Sequence, residues 1–222
     1  HADIMDFLDI GTEGNPIQNL QYGITVTDLW IEEMKAGDKI KRKTWAKVIQ
    51  RRSEFGFPYI MFKDNSNNSS PYKELGLEIT ASNLCSEIQL PTDSFNSFVC
   101  CLGSINLLHW EELKDTDAIQ TYTLFLNAVM DEFILKSSRL PGMKRAYRFA
   151  KQHRAIGVGV LGYHSLFQSK LIEFDSLESK GLNNKIFKIM KERTEEGSRW
   201  LHDHREVRSL REGFANTTLM AI

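Results

Sequence analysis

The sequence predicts an α/β domain with a largely parallel sheet or barrel, and three observations support this prediction. Short apolar runs typical of buried strands alternate with longer segments in which apolar residues recur at helical spacing. The 222 residues are enough for one sizeable hydrophobic core, and 41% hydrophobic with 26% charged residues is an ordinary globular composition. Strands that alternate with helices are typical of parallel sheets, because each parallel pair needs a crossover connection.

In the first half of the chain, three helices and three strands are predicted. The helices are residues 2–9, 27–35 and 43–55, and the strands are residues 22–26, 58–62 and 77–80. Thr27 and Asp28 offer a cap for the second helix, and Gly37 closes it. Residues 64–71 are rich in Asn and Ser, which predicts a surface loop.

The second half continues the alternation. Its strands are predicted at residues 98–102, 155–160 and 217–222. Its helices are predicted at residues 117–136 and 176–204, with another helix between them that ends at about residue 153. Pro141 and Gly142 break the helical pattern between the first two of these helices. Within the last helix, Phe187 and Trp200 are predicted to be core anchors. We interpret residues 1–222 as a single segment. The apolar character of both ends suggests that this segment is part of a longer chain.

Charge and hydropathy argue against two classes of partner. The chain carries 28 basic and 29 acidic residues, a net charge of −1, so no bulk attraction to nucleic acid or an anionic membrane is expected. No apolar run approaches the length of a membrane span. We therefore expect neither a membrane nor a nucleic acid as a direct partner.

Three cysteines, Cys85, Cys100 and Cys101, are too few and too irregularly spaced for a secreted disulfide framework. They fit a reducing, cytoplasmic setting. No second close cysteine pair and no histidine at ligand spacing accompany them, and His202 and His204 are poorly placed for one metal on a helix. We therefore predict no metal site and interpret the two histidines as a solvated helix end.

The densest set of chemically useful side chains lies in residues 82–88. If this segment is extended, Asn83, Cys85 and Glu87 point to one face and present an amide, a thiol and a carboxylate together. A neighbouring carboxylate disfavours a thiolate, so the pattern suits a thiol that acts while neutral beside a separate base. The alternative from the residues alone is a buried structural cysteine between two strands.

Two further motifs are ambiguous by themselves. Cys100 and Cys101 are adjacent on a predicted strand, so only one can face a site that contains Cys85, and both could be core residues. The glycines of residues 157–162 match a dinucleotide fingerprint, but Glu178, where the acidic partner belongs, falls in a helical stretch. We interpret these glycines as a tight turn between a strand and a helix.

Residues 82–88, Ser-Asn-Leu-Cys-Ser-Glu-Ile, resemble the finger loop of the class I ribonucleotide reductase large (catalytic) subunit. Other segments are similar to that family in the same order along the chain, namely residues 1–8, 58–65, 100–107, 154–162 and 216–222. The ordered set of matches makes the resemblance specific. It implies part of the family's ten-stranded α/β barrel, with the finger loop (residues 82–88) threaded through its centre.

The resemblance also implies roles for individual residues. Cys85 would become the thiyl radical that abstracts the ribose 3′ hydrogen, and Glu87 would accept the proton of the 3′-hydroxyl. Asn83 would hydrogen-bond the substrate hydroxyls, with Ser82 beside it in the substrate-binding set. Cys100, rather than Cys101, would be one of the two cysteines that reduce the substrate and end as a disulfide.

The resemblance further implies a ribonucleotide substrate and several protein partners. No cofactor is expected in this chain, because the radical would come from a metal-containing small subunit. Nucleotide effectors would bind elsewhere in the full enzyme, and thioredoxin or glutaredoxin would reduce the disulfide again. The product would be deoxyribonucleotides for DNA synthesis.

Several family segments have no counterpart in the sequence, including the second redox cysteine, the effector loops, the phosphate loop and the radical-relay tyrosines. We therefore expect an incomplete barrel that is inactive without complementing chains. The sequence would be either a truncated part of a longer chain or the product of a split gene. Phage genomes are a frequent setting for split genes in this family. Two alternatives remain. One is a cobalamin-dependent ribonucleotide reductase or another thiyl-radical barrel enzyme, and the other is an inactive fragment that assists assembly.

Overall fold

The computed structural model of the protein describes residues 1–205 and the strand at 217–219. The chain forms two compact units, His1–Asp93 and Ser94–Ile222. Among the described residues, no helix combines the length and the apolar character needed to cross a bilayer.

The first unit pairs two short parallel strands and surrounds them with helices. Its elements are α1 (Ile4–Phe7), β1 (Gly23–Val26), α2 (Asp28–Ala36), α3 (Lys39–Phe55), β2 (Tyr59–Phe62) and α4 (Lys63–Asn68), followed by a 3₁₀ turn at Lys73–Leu75. β1 and β2 run parallel with Gly23 opposite Tyr59. One buried hydrophobic cluster of this unit comprises Leu8, Ile10, Tyr22 and Val48.

Helix α2 begins and ends where the sequence predicts. The Thr27 side chain accepts a hydrogen bond of 3.2 Å from the backbone N–H of Trp30, which satisfies one of the donors that a helix start leaves unpaired. Gly37 closes the helix in the left-handed conformation, with φ of 117°, which glycine adopts without steric cost. Both capping predictions are confirmed.

Two predictions for the first unit are wrong. Most of the predicted loop at residues 64–71 is helix α4, in which Ser66 and Asn67 bond backbone carbonyls one turn earlier, those of Phe62 and Lys63. The predicted strand at residues 77–80 is not a strand, because the backbone of Ile79 bonds to a side chain instead of a neighbouring strand.

The second unit is a parallel three-stranded sheet covered by helices. Its elements are β3 (Cys101–Asn106), α5 (Trp110–Leu113), α6 (Ala118–Ser137), α7 (Lys144–His153), β4 (Ile156–Leu161), α8 (Tyr163–Ser169), α9 (Leu177–Arg205) and β5 (Thr217–Leu219), with 3₁₀ turns at Leu107–His109 and Pro141–Met143. The strand order is β3-β4-β5, and every pairing is parallel. The predicted alternation of helices with parallel strands is confirmed.

The core of the second unit lies between this sheet and helices α6 and α9. It includes Trp110, Leu126, Val158 and Met190, all at most 3% exposed, and Phe187 packs against it as predicted. Trp200 is not a core anchor. It is 42% exposed and stacks on the ring of His204, because it lies on the solvent side of α9.

The strand predicted at residues 98–102 begins only at Cys101 and continues to Asn106. Apolar residues ahead of the strand are therefore not part of the β3–β4 pairing, whose first partners are Cys101 and Ile156. The predicted last strand is confirmed over Thr217–Leu219, and residues 220–222 lie outside the described residues.

Candidate functional site

The finger loop is closed by a single asparagine. The backbone N–H of Asn83 donates to the carbonyl of Ile88 at 3.1 Å, and Oδ1 of Asn83 accepts from the N–H of Ile88 at 3.0 Å. Between these ends, the N–H of Ser86 donates to the carbonyl of Asn83 at 3.2 Å, so Leu84 and Cys85 are the central residues of a turn. The loop is thus a compact hydrogen-bonded excursion with Cys85 at its tip.

This geometry corrects the extended conformation assumed from the sequence. An alternating strand would place Asn83, Cys85 and Glu87 on one face, whereas the turn brings only the first and last of these into contact. Asn83 Nδ2 donates to Glu87 Oε1 at 2.6 Å. Asparagine favours such turns because its side chain offers both a donor and an acceptor to nearby groups. Ser86 takes up the sharp bend with φ of 70°.

The two carboxylate oxygens of Glu87 have different surroundings. Oε1 accepts the bond from Asn83, whereas Oε2 is buried and has no hydrogen-bond partner among the described residues. A buried carboxylate oxygen without a partner is costly, and such groups are rare in folded proteins. Oε2 is therefore an acceptor that a bound hydroxyl or a proton would satisfy.

Cys85 is exposed at the tip of the loop, and its neighbour Leu84 is 51% exposed. The alternative interpretation of Cys85 as a buried structural cysteine is therefore wrong. The thiol at the tip of the loop is therefore open to a reacting partner.

A cleft of about 290 Å³ lies beside the finger loop within the first unit. Its walls come from β1 and the two residues before it, from β2, and from the finger loop with the residue before it. They comprise Gln21, Tyr22, Gly23, Ile24, Thr25, Tyr59, Met61, Ala81, Ser82, Asn83, Leu84 and Ser86. Its volume lies just below the range for small-molecule sites, which begins at about 300 Å³. Ser82, predicted to bind substrate, lines this cleft while its hydroxyl donates to the carbonyl of Asn83 at 3.0 Å.

The sequence did not single out the β1 and β2 residues of this cleft. Tyr22 and Tyr59 lie far from the finger loop in the sequence and belong to ordinary apolar strand patterns. Burial raises the pKa of the Tyr22 phenol, so this side chain stays neutral. The pairing of β1 with β2 places Tyr22 and Tyr59 side by side, and no local pattern in the sequence predicts their position in the cleft.

The adjacent cysteines of the second unit have different environments. Cys101 begins β3 and packs against the core, and burial raises the pKa of its thiol. Cys100 precedes the strand, is half-buried, and has its sulfur 3.9 Å from the carbonyl of Cys101. Cys101 therefore has the surroundings of a structural cysteine, and the redox role of Cys100 stays a prediction.

The predicted strand-to-helix turn is confirmed at Gly162 only, because Gly157 and Gly159 of the glycine fingerprint lie within strand β4. Strand β4 ends at Leu161, Gly162 adopts φ of 70°, and α8 begins at Tyr163. A Cβ at Gly162 would collide with the side chain of Asn106. Backbone conformation and close packing therefore both require a glycine at position 162.

The histidines of the last helix are close to its end. His204 Nδ1 lies 3.0 Å from the carbonyl of Trp200, and α9 ends at Arg205. Within the part of the chain that the structure describes, no group of three potential ligands could hold a metal ion.

The family model for the ribonucleotide reductase barrel domain matches residues 39–217. The chain is 42% identical over 149 residues to the ribonucleoside-diphosphate reductase large subunit of Invertebrate iridescent virus 3, covering 66% of this chain and 23% of that protein. It is 29% identical over 237 residues to the large subunit of Variola virus, covering 86% of this chain and 30% of that protein.

A solved structure is also similar. The class Id ribonucleotide reductase alpha subunit of Actinobacillus ureae matches with a TM-score of 0.91 and 48% sequence identity, covering 100% of this chain and 44% of that one. The chain thus spans less than half the length of each of these relatives, and its elements are part of the family's α/β barrel, as the resemblance implied. This chain belongs to the ribonucleotide reductase barrel-domain family.

Proposed function

We propose that the chain provides the thiyl-radical segment of a ribonucleoside-diphosphate reductase large subunit, which reduces ribonucleotides to deoxyribonucleotides. The observation that carries the proposal is the Asn83–Glu87 hydrogen bond, which leaves Glu87 Oε2 buried without a partner in the loop that exposes Cys85. The relatives named above are ribonucleoside-diphosphate reductase large subunits, which supports the same activity here.

The reaction places Cys85 and Glu87 on the two sides of one carbon atom. The Cys85 thiyl radical breaks the 3′ C–H bond and forms an S–H bond, while Glu87 accepts the proton of the 3′-hydroxyl. The 2′-hydroxyl then leaves as water with an added proton. Two thiols, one of them Cys100, are oxidised to a disulfide and supply two electrons and two protons, of which one proton leaves with the water and the other forms the new C2′–H bond. Glu87 returns its proton to the 3′-oxygen, and Cys85 returns its hydrogen to C3′ and becomes a thiyl radical again.

Asn83 has a donor left for the substrate after it has closed the loop. One N–H of its amide bonds to Glu87, and a side-chain amide carries two. We assign the second N–H to a substrate hydroxyl, with Ser82 on the wall of the adjoining cleft. The same residue would then hold the base in place and orient the hydroxyl from which it takes the proton.

The proposal requires chain beyond these residues. A barrel encloses its centre only when all of its strands are present, and the chain covers 44% of the similar solved subunit. We therefore propose that turnover needs complementing large-subunit chains, a metal-containing small subunit that supplies the radical, and thioredoxin or glutaredoxin for re-reduction. Effector binding belongs to those complementing chains, and a split gene and a cytoplasmic location remain predictions.

The test is nucleotide reduction by the chain combined with its complementing large-subunit chains and a small subunit. Cys85→Ala should abolish turnover, whereas Cys101→Ala, which replaces a cysteine at the edge of the core, should retain it. Persistent turnover in Cys85→Ala would overturn the radical role and favour a purely structural contribution. Turnover by the chain alone would overturn the requirement for complementing chains.

A further inference from the structure

Asn67, in helix α4, hydrogen-bonds both backbone polar groups of one residue twelve positions away. Its Nδ2 donates to the carbonyl of Ile79 at 2.9 Å, and its Oδ1 accepts from the N–H of Ile79 at 2.8 Å. Nδ2 also donates to the carbonyl of Lys63, at 2.9 Å, which fixes the side chain on its own helix. The asparagine thus takes the place of a neighbouring strand for Ile79.

Ile79 lies just ahead of the finger loop and depends on this clamp. Its side chain is 2% exposed, and residues 77–81 form no strand pairing. The next residue, Thr80, accepts a hydrogen bond of 3.4 Å from the hydroxyl of Thr25 in β1. The approach to the finger loop is therefore positioned by side-chain hydrogen bonds from α4 and β1.

Among the described residues, the side chain of Asn67 has its hydrogen bonds with Lys63 and Ile79, and it does not line the cleft beside the finger loop. In the segment that leads into the finger loop, the first residue that lines the cleft beside the loop is Ala81. Asn67 lines a different cleft of the first unit, together with Lys63 and Glu78. An influence of Asn67 on the loop must therefore pass through the backbone of Ile79. Without the clamp, a buried N–H and carbonyl lose their partners, and the segment must move to satisfy them.

We propose that Asn67 is a positioning residue for Cys85, which sets the place of the finger loop by clamping Ile79. The proposal rests on the proposed function, because the reaction needs Cys85 within reach of the substrate carbon. Misplacement of a reacting group by about 1 Å can cost about 10²-fold in rate. Asn67 therefore contributes to the rate of the chemical step although it touches no substrate.

The test compares Asn67→Ala and Asn67→Asp in the complete large subunit assembled with its small subunit. Aspartate keeps an acceptor for the Ile79 N–H but has no donor for the Ile79 carbonyl, so both variants break the clamp. We expect kcat to fall at least tenfold at saturating substrate in folded protein. Amide hydrogen exchange of Asn83 and Ile88, whose N–H groups close the loop, should accelerate at least tenfold.

Asn68→Ala is the matched control, because Asn68 follows Asn67 in helix α4 and is exposed. Among the described residues, its side chain accepts a hydrogen bond from Lys73 Nζ and has none with Ile79. This variant should leave kcat and loop exchange unchanged. A purely structural Asn67 would lower the melting temperature and leave kcat and loop exchange of the folded protein at wild-type values, which would overturn the proposal. If Cys85→Ala retains turnover in the same assay, the proposed function fails, and loop exchange still tests the clamp separately.

Discussion

The side-chain amide of Asn83 donates a hydrogen bond of 2.6 Å to one carboxylate oxygen of Glu87 and leaves the other oxygen buried without a partner. One oxygen therefore holds the finger loop together, and the other is available for a proton. This division of roles separates the two functions of a single side chain and allows them to be tested apart.

Glu87→Gln should remove the base and preserve the loop. Glutamine keeps an oxygen that accepts the bond from Asn83, but its amide cannot take a proton at neutral pH. We expect turnover of the assembled enzyme to fall by about 10²–10⁴-fold, the usual contribution of general base catalysis. Steady-state kinetics measure the loss, with the exposed Glu74→Gln as control. Turnover within threefold of wild type would contradict the assigned role.

Ser86 tests the bend of the finger loop. Its φ of 70° lies in the left-handed region, which costs roughly 1–2 kcal/mol for an L-residue and nothing for glycine. Ser86→Gly should therefore stabilise the chain or leave it unchanged, whereas the β-branched Ser86→Val should destabilise it by about 1–2 kcal/mol. Urea unfolding monitored by circular dichroism measures both. Equal stability of the two variants would show that the bend is not strained.

Cys85 and Cys101 should differ in reactivity. Cys85 is exposed, whereas Cys101 packs against the core and burial raises the pKa of its thiol, which lowers its thiolate fraction. Brief treatment with iodoacetamide at pH 8 should therefore label Cys85 well before Cys101. Peptide mass spectrometry over a time course measures the two rates. Faster labelling of Cys101 than of Cys85 in the native protein would refute the described burial.

Gly162 should not tolerate a side chain. Its φ of 70° and the close approach of Asn106 both oppose a Cβ, so Gly162→Ala should destabilise the chain by about 1–3 kcal/mol. Gly142→Ala is the control, because a Cβ there meets nothing within 4 Å. Thermal and urea unfolding measure both variants. A loss shared equally by the two would assign the effect to glycine replacement in general.

Stability at acid pH should depend on Glu111. Hydrogen bonds from Lys114 and Lys170 lower the pKa of this carboxyl from 4.5 to about 2. Its contribution is fully present above pH 4.5 and is lost as the pH falls through about 2. Because the carboxylate is 51% exposed, we expect less than about 1 kcal/mol. The difference in unfolding free energy between wild type and Glu111→Gln should shrink over this window, and a constant difference would contradict the assignment.

Much of the fold could be predicted because its causes are local. Helix α2 carries its own start and stop residues in Thr27 and Gly37, and the helical spacing of apolar residues predicts α6 to within one residue at each end. The two errors in the first unit, at residues 64–71 and 77–80, lie where side chains bond to the backbone. Composition makes residues 64–71 look like a loop, yet Ser66 and Asn67 satisfy carbonyls of α4 itself.

The candidate site was predicted in its residues but not in its geometry. Asn83, Cys85 and Glu87 stand out by residue type and family resemblance, whereas the turn that joins Asn83 to Glu87 depends on hydrogen bonds that no alternation pattern encodes. Tyr22 and Tyr59 came to the cleft only through strand pairing.

The sequence by itself determined the α/β class, the parallel strands, the ends of α2, α6 and α9 to within one residue, and the residues of the finger loop, because periodicity, caps and motif order are properties of neighbouring residues. The tertiary structure alone decided that Oε2 of Glu87 is left buried without a partner and that Asn67 clamps Ile79. The unpaired oxygen and the Asn67–Ile79 hydrogen bonds both depend on which polar groups lie within hydrogen-bond distance of each other in the folded chain. A buried donor or acceptor takes whichever partner the packed chain brings within reach.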